Sequence, residues 1–360
     1  MKKNTPEPAR HHALDLHLHY VSAKEIGYCR KLEKGKFCYH LKDKKITDEA
    51  VLRRIESLVI PPAWTDVWIC KWKNGHIQAT GIDAKGRKQY KYHPEWSTKR
   101  NLKKFDRLIG FSKKLKLLRQ QLNKDLRKKQ FCKEKVCAIA IDTMSKTFIR
   151  VGNKFYEKAY GSFGLTTLKN GHVRIDHNQI FFKFRGKKGI MQQIYLKESK
   201  VAKLLSNIKE IPGQKLFQYY DQHGHIQQLD SDDINAYLRE AMQGEYTGKD
   251  FRTWAGCLLA LHLMTQMPYA ETQSDRKKTL LNVIDQVAAQ LGNTRTVTRN
   301  YYIHPALQLQ YVDGKLTSLL KQLSRKPVTD LPSVYSEKAF EKFLKTLLDS
   351  NRQVPKKNKG

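Results

Sequence analysis

Ile180-Phe181-Phe182-Lys183-Phe184-Arg185-Gly186-Lys187-Lys188-Gly189-Ile190 reads as a strand, a turn and the start of a second strand. Branched and aromatic residues run up to Phe184, two glycines bracket a pair of lysines, and an extended pattern resumes from Ile190 to Leu196, which predicts a β-hairpin with Lys187 at its tip. His172 to Ile175 supplies a third strand. On both sides the text turns helical. Upstream, the strand-like text gives way to helix around residues 94 to 110; Phe111, Leu115, Leu118, Leu122 and Leu126 then share one face of a lysine-rich helix, and Cys137 to Ala140 with Met144 to Ile149 read as buried helix. Downstream, Ser231 reads as an N-cap before Asp232-Asp233, an apolar segment follows Arg252, and an amphipathic helix runs from Arg276 to Leu291, where Gly292 can end it. Phe340, Phe343, Leu344, Leu347 and Leu348 form the core-facing stripe of a last helix. A small sheet inside a mainly helical region follows.

The preceding part of the chain reads as strand-rich. Val67-Trp68-Ile69-Cys70-Lys71-Trp72 and His76-Ile77-Gln78-Ala79-Thr80 flank Lys73-Asn74-Gly75, an Asn-Gly hairpin signal. Thr47-Asp48-Glu49 opens a helix through Ile55 and Leu58 that stops before Pro61-Pro62. The expected fold class is therefore α+β, with an N-terminal segment (1–20), an N-terminal α+β lobe (21–100), a mainly α-helical lobe (101–325), and a C-terminal helix with a polar tail (326–360). No internal repeat is present.

Composition narrows the function. A length of 360 residues suits two domains with cores that fold without disulfides. Lys+Arg of 68 against Asp+Glu of 34 gives a formal net charge of +34, which calls for a polyanionic partner, because a nucleic acid releases counterions to such a surface. A noncatalytic basic binder satisfies the same arithmetic. The six cysteines show no metal-ligand spacing and no disulfide framework, so a reducing compartment is expected. Met1-Lys2-Lys3-Asn4-Thr5-Pro6 leads into no apolar leader, no run is long enough to span a bilayer, and the basic residues are spread along the chain. A cytoplasmic, nucleoid-associated protein is expected, without membrane partners. His11, His12, His17 and His19 cluster without zinc spacing, and no Walker-type loop occurs, so neither metal nor other cofactor is expected.

Four residues carry chemistry. Arg150 lies in Phe148-Ile149-Arg150-Val151-Gly152-Asn153, Lys187 in the hairpin turn, Arg252 in Lys249-Asp250-Phe251-Arg252-Thr253-Trp254, and Tyr302 in Arg299-Asn300-Tyr301-Tyr302-Ile303-His304-Pro305. Arginine forks bind phosphate oxygens, a lysine can donate a proton, and a phenol can attack phosphorus. Each has a plainer reading: a buried ion pair for the arginines, a solvated turn charge for Lys187.

In their order and local sequence these blocks resemble the small viral and bacterial type IB DNA topoisomerases. The likeness runs from about Tyr20 to about Asp313 and includes Ile60-Pro61-Pro62-Ala63-Trp64, His76-Ile77-Gln78-Ala79-Thr80-Gly81 and Gly86-Arg87-Lys88-Gln89-Tyr90-Lys91-Tyr92. The resemblance implies a bilobed clamp on duplex DNA, acting as a monomer, that nicks one strand, permits rotation and reseals without ATP or metal. It makes Tyr302 the nucleophile of a 3′-phosphotyrosyl bond, Arg150 and Arg252 the phosphate ligands, Lys187 the general acid and Lys249 an auxiliary residue. Tyr301 is chemically equivalent to Tyr302; the choice rests on the family tyrosine's place between Leu291-Gly292-Asn293-Thr294 and Ile303-His304-Pro305. Asn293 stands where viral members have histidine and bacterial-type relatives have asparagine; its amide can still donate to a phosphate. Gln89, Tyr90, Tyr92 and Tyr156 match DNA-contact positions, Gln89 being able to pair with adenine. A tyrosine recombinase shares the Arg, Lys, Arg, Tyr order, but places histidine where this chain has Lys249 and lacks the Pro-Pro-Ala-Trp block.

Overall fold

The computed structural model describes Ala13, residues 16–268, 270–326, Pro332 and residues 334–352. The chain divides into two compact units, Met1–Lys103 and Lys104–Gly360. The first unit is built on strands β1 (Tyr28–Glu33), β2 (Lys36–Leu41) and β3 (Lys44–Lys45), helix α1 (Glu49–Ser57), and strands β4 (Thr65–Ile69), β5 (Ile77–Ile82) and β6 (Lys88–Tyr92). The six strands form one sheet in the order β3-β2-β1-β4-β5-β6 with antiparallel pairing throughout. Asp48 caps α1 by accepting from the Ala50 amide at 2.8 Å, and Ile55 on the inner face of α1 joins Val67, Ile69 and Ala79 in the core. The hairpin around Asn74-Gly75 differs from the sequence expectation: β4 ends at Ile69, so the connection is a longer loop. Side chains hold that loop. Gln78 donates to the carbonyls of Lys73 (3.0 Å) and Gly75 (2.6 Å), and Arg54 donates to those of Cys70 (2.7 Å) and Trp72 (3.1 Å). Sequence periodicity did not reveal β1 to β3, because their lysine-rich, half-exposed strands lack a clean alternation.

Helix α2 (Pro94–Leu126) carries the boundary between the units, then buries Phe105, Leu108, Phe111, Leu115, Leu118 and Leu122 in the second core. There follow α3 (Lys133–Thr147), α4 (Lys154–Tyr160), strands β7 (Val173–Asp176), β8 (Gln179–Arg185) and β9 (Met191–Lys197), α5 (Ser199–Lys209), the short pair β10 (Gln218–Tyr220) and β11 (Ile226–Gln228), α6 (Ser231–Met242), α7 (Gly248–Gln266), α8 (Gln273–Leu291), α9 (Arg295–Tyr301), α10 (Pro305–Val312), α11 (Thr317–Ser324) and α12 (Val334–Arg352). Strands β7-β8-β9 are the predicted antiparallel sheet, with Val173 opposite Phe182 and Phe184 opposite Gln192. The N-cap of α6 is Asp230, one residue before the expected Ser231, because its carboxylate accepts from the Asp232 amide at 2.8 Å and the Asp233 amide at 3.0 Å. Helix α7 is buried on all faces from Phe251 to Met264, as its apolar composition requires. The stripe Phe340, Phe343, Leu344 of α12 packs into the same core; the side chain of Leu348 lies outside the described residues.

Candidate active site

The C-terminus of α8 organises the site. Gly292 ends the helix in the left-handed conformation, φ 58°, which leaves the last carbonyls without intrahelical donors. Two arginines take them up: Arg252 donates to the Leu291 carbonyl at 2.7 Å and Arg150 to that of Gly292 at 3.0 Å. The negative end of a helix dipole favours that placement of cations. Arg150 also donates to Asn293 Oδ1 at 2.6 Å, which fixes the amide with its Nδ2 turned elsewhere. The plainer reading of the arginines as ion-pair members does not hold, since these partners are carbonyl and amide oxygens and not carboxylates.

Each arginine is held by its own backbone context. Helix α3 stops at Phe148, φ 56°, and the chain then crosses itself where Gly152 meets Gly164: a Cβ on Gly164 would stand 2.6 Å from Gly152 Cα and 2.7 Å from the Arg150 carbonyl. Leu165 N to Arg150 O, 2.8 Å, and Thr166 N to Val151 O, 2.8 Å, lock the crossing. Gly152, the glycine of Arg-Val-Gly-Asn, itself takes φ 92° and would place a Cβ 3.0 Å from the Gly164 carbonyl carbon, so both its backbone conformation and the close approach call for glycine. Arg252 sits on the first turns of α7, which begin where Asp250 accepts from the Thr247 amide at 2.9 Å. Its side chain is 6% exposed and also donates to the Phe148 carbonyl. Burial, then the like charge of Arg150, lowers the Arg252 pKa; burial likewise lowers that of Arg150, and Tyr302 opposes both shifts. Two buried donors, Arg252 Nε and Asn293 Nδ2, have no acceptor among the described residues.

Tyr302 follows α9, and its half-buried ring lies with its centroid 5.5 Å from Arg252 Cζ. Its backbone is pressed against α7: a Cβ on Gly256 would stand 2.5 Å from the Tyr302 carbonyl, and the Cys257 thiol donates to that carbonyl at 3.4 Å. Tyr301, the last residue of α9, is 42% exposed. Lys187 is at the hairpin tip between β8 and β9, where Gly186 N bonds Ile190 O at 2.8 Å and Lys188 takes φ 63°. Withdrawal from water, then the charge of Arg150, lowers its pKa, and Tyr302 acts in the opposite sense, so Lys187 lies within electrostatic reach of these groups.

The remaining predicted residues have the following surroundings. Lys249 is exposed on the first turn of α7 and pushes down the pKa of Lys104. Tyr156 is 49% exposed in an aromatic group on α4, 5.6 Å from Phe155 and 5.9 Å from Tyr160 between ring centroids. In the first unit Tyr90 stacks on Tyr92 at 5.9 Å, Lys88 and Arg100 lie over these rings, and Gln89 donates to Asp83 at 2.9 Å. His17 is exposed and His19 stacks on Trp72 at 5.6 Å; His11 and His12 lie outside the described residues. Among the described residues no group of three or more His, Cys, Asp or Glu is arranged to hold a metal, and no helix is long and apolar enough to cross a membrane.

Sequence reasoning missed Lys104. Its Nζ donates to the Tyr301 carbonyl and lies 4.8 Å from the Tyr302 ring centroid. The signal was available: Lys104 is in helical register with Leu108, Phe111 and Leu115, so it interrupts an apolar stripe and is not part of the solvated lysine face.

Comparison with known proteins gives the family. Residues 87–327 match the family described as eukaryotic DNA topoisomerase I, catalytic core, and residues 36–83 match the bacterial DNA topoisomerase IB N-terminal domain. The chain is 31% identical over 286 residues to DNA topoisomerase 1B of Acanthamoeba polyphaga mimivirus, covering 77% of this chain and 85% of the relative. It is 24% identical over 310 residues to DNA topoisomerase 1B of vaccinia virus, strain Copenhagen, covering 84% and 90%. With the family match spanning more than half of the sequence and taking in both arginines, the hairpin lysine and the tyrosine pair, the chain belongs to the type IB DNA topoisomerases.

Proposed function

We propose that this type IB topoisomerase relaxes supercoiled duplex DNA through a 3′-phosphotyrosyl bond to Tyr302, as a monomer whose two lobes clamp the duplex. The enzyme class follows from the family; the roles of individual residues are our reading. The observation that carries it is the convergence of Arg150, Arg252 and Tyr302 at the end of α8, with two cations that no carboxylate neutralises among the described residues. A buried guanidinium beside a half-buried one, with no carboxylate among the described residues to neutralise them, is costly unless an anion is to be bound there. A phosphodiester in that position supplies oxygens for the unmatched donors of Arg252 and Asn293.

In the forward step Tyr302 Oη attacks phosphorus, the P–Oη bond forms, the phenolic proton passes to solvent, and the bond from phosphorus to the 5′ oxygen breaks. Lys187 supplies the proton that the departing 5′ oxygen needs and is reprotonated from solvent. Charge grows on the non-bridging oxygens as phosphorus becomes five-coordinate, where Arg150 and Arg252 already stand. The reverse attack by the 5′-hydroxyl reseals the strand, since the phosphotyrosyl ester retains the energy of the bond it replaced. Metal and nucleotide have no role in this sequence. Lys249 serves as an auxiliary phosphate contact, and Gln89, Tyr90, Tyr92 and Tyr156 as duplex contacts.

The test is relaxation of supercoiled plasmid in chelator without ATP, with detergent used to trap protein-linked nicks. The unaltered chain should relax the plasmid and trap nicks; Tyr302→Phe should do neither while still retarding DNA in a gel. Relaxation by Tyr302→Phe would overturn the assignment.

A further inference from the structure

A lysine on the apolar stripe of a helix needs a reason, because its ammonium loses hydration there. Lys104 has one on each side of its charge: it donates to the Tyr301 carbonyl, and it lies 4.8 Å from the centroid of the Tyr302 ring and 5.2 Å from that of Phe105. The groups facing the amine from α7 are Asp250 and Cys257, which favour its charge, and Lys249, which opposes it. Those facing Tyr302 are Arg252, Arg150 and Lys187. The peptide carrying the tyrosine is pinned from α7 as well, where the Cys257 thiol bonds the Tyr302 carbonyl and accepts from the His304 amide at 3.3 Å.

We propose that Lys104 is a positioning residue for strand cleavage: its ammonium fixes the peptide preceding Tyr302 and presents positive charge to the face of the reacting ring. The proposal rests on Tyr302 being the nucleophile. A cation over an aromatic face is attracted by the ring's negative face, and that attraction grows as the oxygen sheds its proton and the ring gains electron density. The interaction is therefore stronger in the transition state than in the resting enzyme, which gives it kinetic weight. Without Lys104 the phenol keeps its neighbours from α7 but loses the restraint on the α9 side. Burial brings the Lys104 pKa down to about 8, so the ammonium is present below that pH and lost as the pH rises through it.

The experiment is single-turnover cleavage of a duplex by the full chain, from about pH 6 to about pH 10, for Lys104→Met, Lys104→Arg and Tyr302→Phe. Lys104→Met should cleave about tenfold more slowly near neutrality, with the deficit narrowing as the unaltered chain loses its own ammonium, and noncovalent DNA affinity should stay within about twofold. Lys104→Arg should recover most of the rate and move the alkaline decline to higher pH, because a guanidinium does not deprotonate there. Cleavage by Lys104→Met within about twofold of the unaltered chain, or a deficit equal at every pH, would overturn the role. Should Lys104→Met fail to fold by circular dichroism, Lys104→Arg decides through its rate ratio to the unaltered chain, in which the shared Lys187 titration cancels: a ratio constant across the pH range would overturn the role. Adduct formation by Tyr302→Phe would instead remove the nucleophile assignment beneath it, so the two failures are separable.

Discussion

Arg252 does two jobs with one guanidinium. It holds the carbonyls of Phe148 and Leu291, and its buried Nε has no partner among the described residues, which in the proposed mechanism leaves it for the reacting phosphate. Arg252→Ala should therefore lower single-turnover cleavage by about 100- to 1,000-fold and also lower the melting temperature, since leaving two buried carbonyls unmatched costs about 2 kcal/mol or more. Arg252→Lys should keep more of the stability than of the rate, because one ammonium cannot reproduce the planar fork. At Asn293, the amide oxygen is spent on Arg150 and the nitrogen remains. Asn293→Ala should slow cleavage about tenfold with DNA binding retained. If Lys187 acts as the proposed acid, only its protonated form is productive. Its pKa is lowered, and cleavage should thus decline with rising pH earlier than an ordinary lysine would allow; in a Lys104→Arg background, where the Lys104 titration is absent, a Lys187→Ala rate with that decline intact would count against it.

Elements position these groups through close approaches. The tyrosine reaches the arginines because α7 has a glycine at 256, where a methyl would stand 2.5 Å from the Tyr302 backbone oxygen and cannot be accommodated by a side-chain rotation. Gly256→Ala should leave the duplex affinity near its original value while cleavage falls by about tenfold or more, measured by gel shift and trapped adduct on the same preparation. The small hairpin was readable in the sequence, turn and strands alike, because its glycines and alternating apolar residues speak for short-range geometry. So was the end of α8 at Gly292. The N-cap of α6 was misplaced by one residue because Asp230 and Ser231 are both competent caps and only the tertiary path selects between them. Strands β1 to β3 were not legible, and neither was the role of α8's terminal carbonyls, which depends on two arginines distant in sequence meeting one helix end.

At the scale of the molecule, a formal charge of +34 on 360 residues makes electrostatics the main source of DNA affinity. The logarithm of the binding constant should fall linearly with the logarithm of salt concentration, with a slope that reports the phosphates contacted; Tyr302→Phe should share that slope, since it removes a reacting atom and no cation. A salt-independent affinity would contradict binding through the phosphate backbone. Composition could announce the polyanion but not the chemistry, and ordered motifs named the chemistry without choosing between Tyr301 and Tyr302 by any property of the phenols themselves. The structure separates them by environment: Tyr301 is exposed, whereas Tyr302 lies against Arg252. Trapping the covalent complex on DNA, digesting the protein and sequencing the nucleotide-bearing peptide by mass spectrometry tests this choice most directly. The nucleotide should be found on Tyr302; finding it on Tyr301, or finding relaxed circles with no linked peptide at all, would contradict the account.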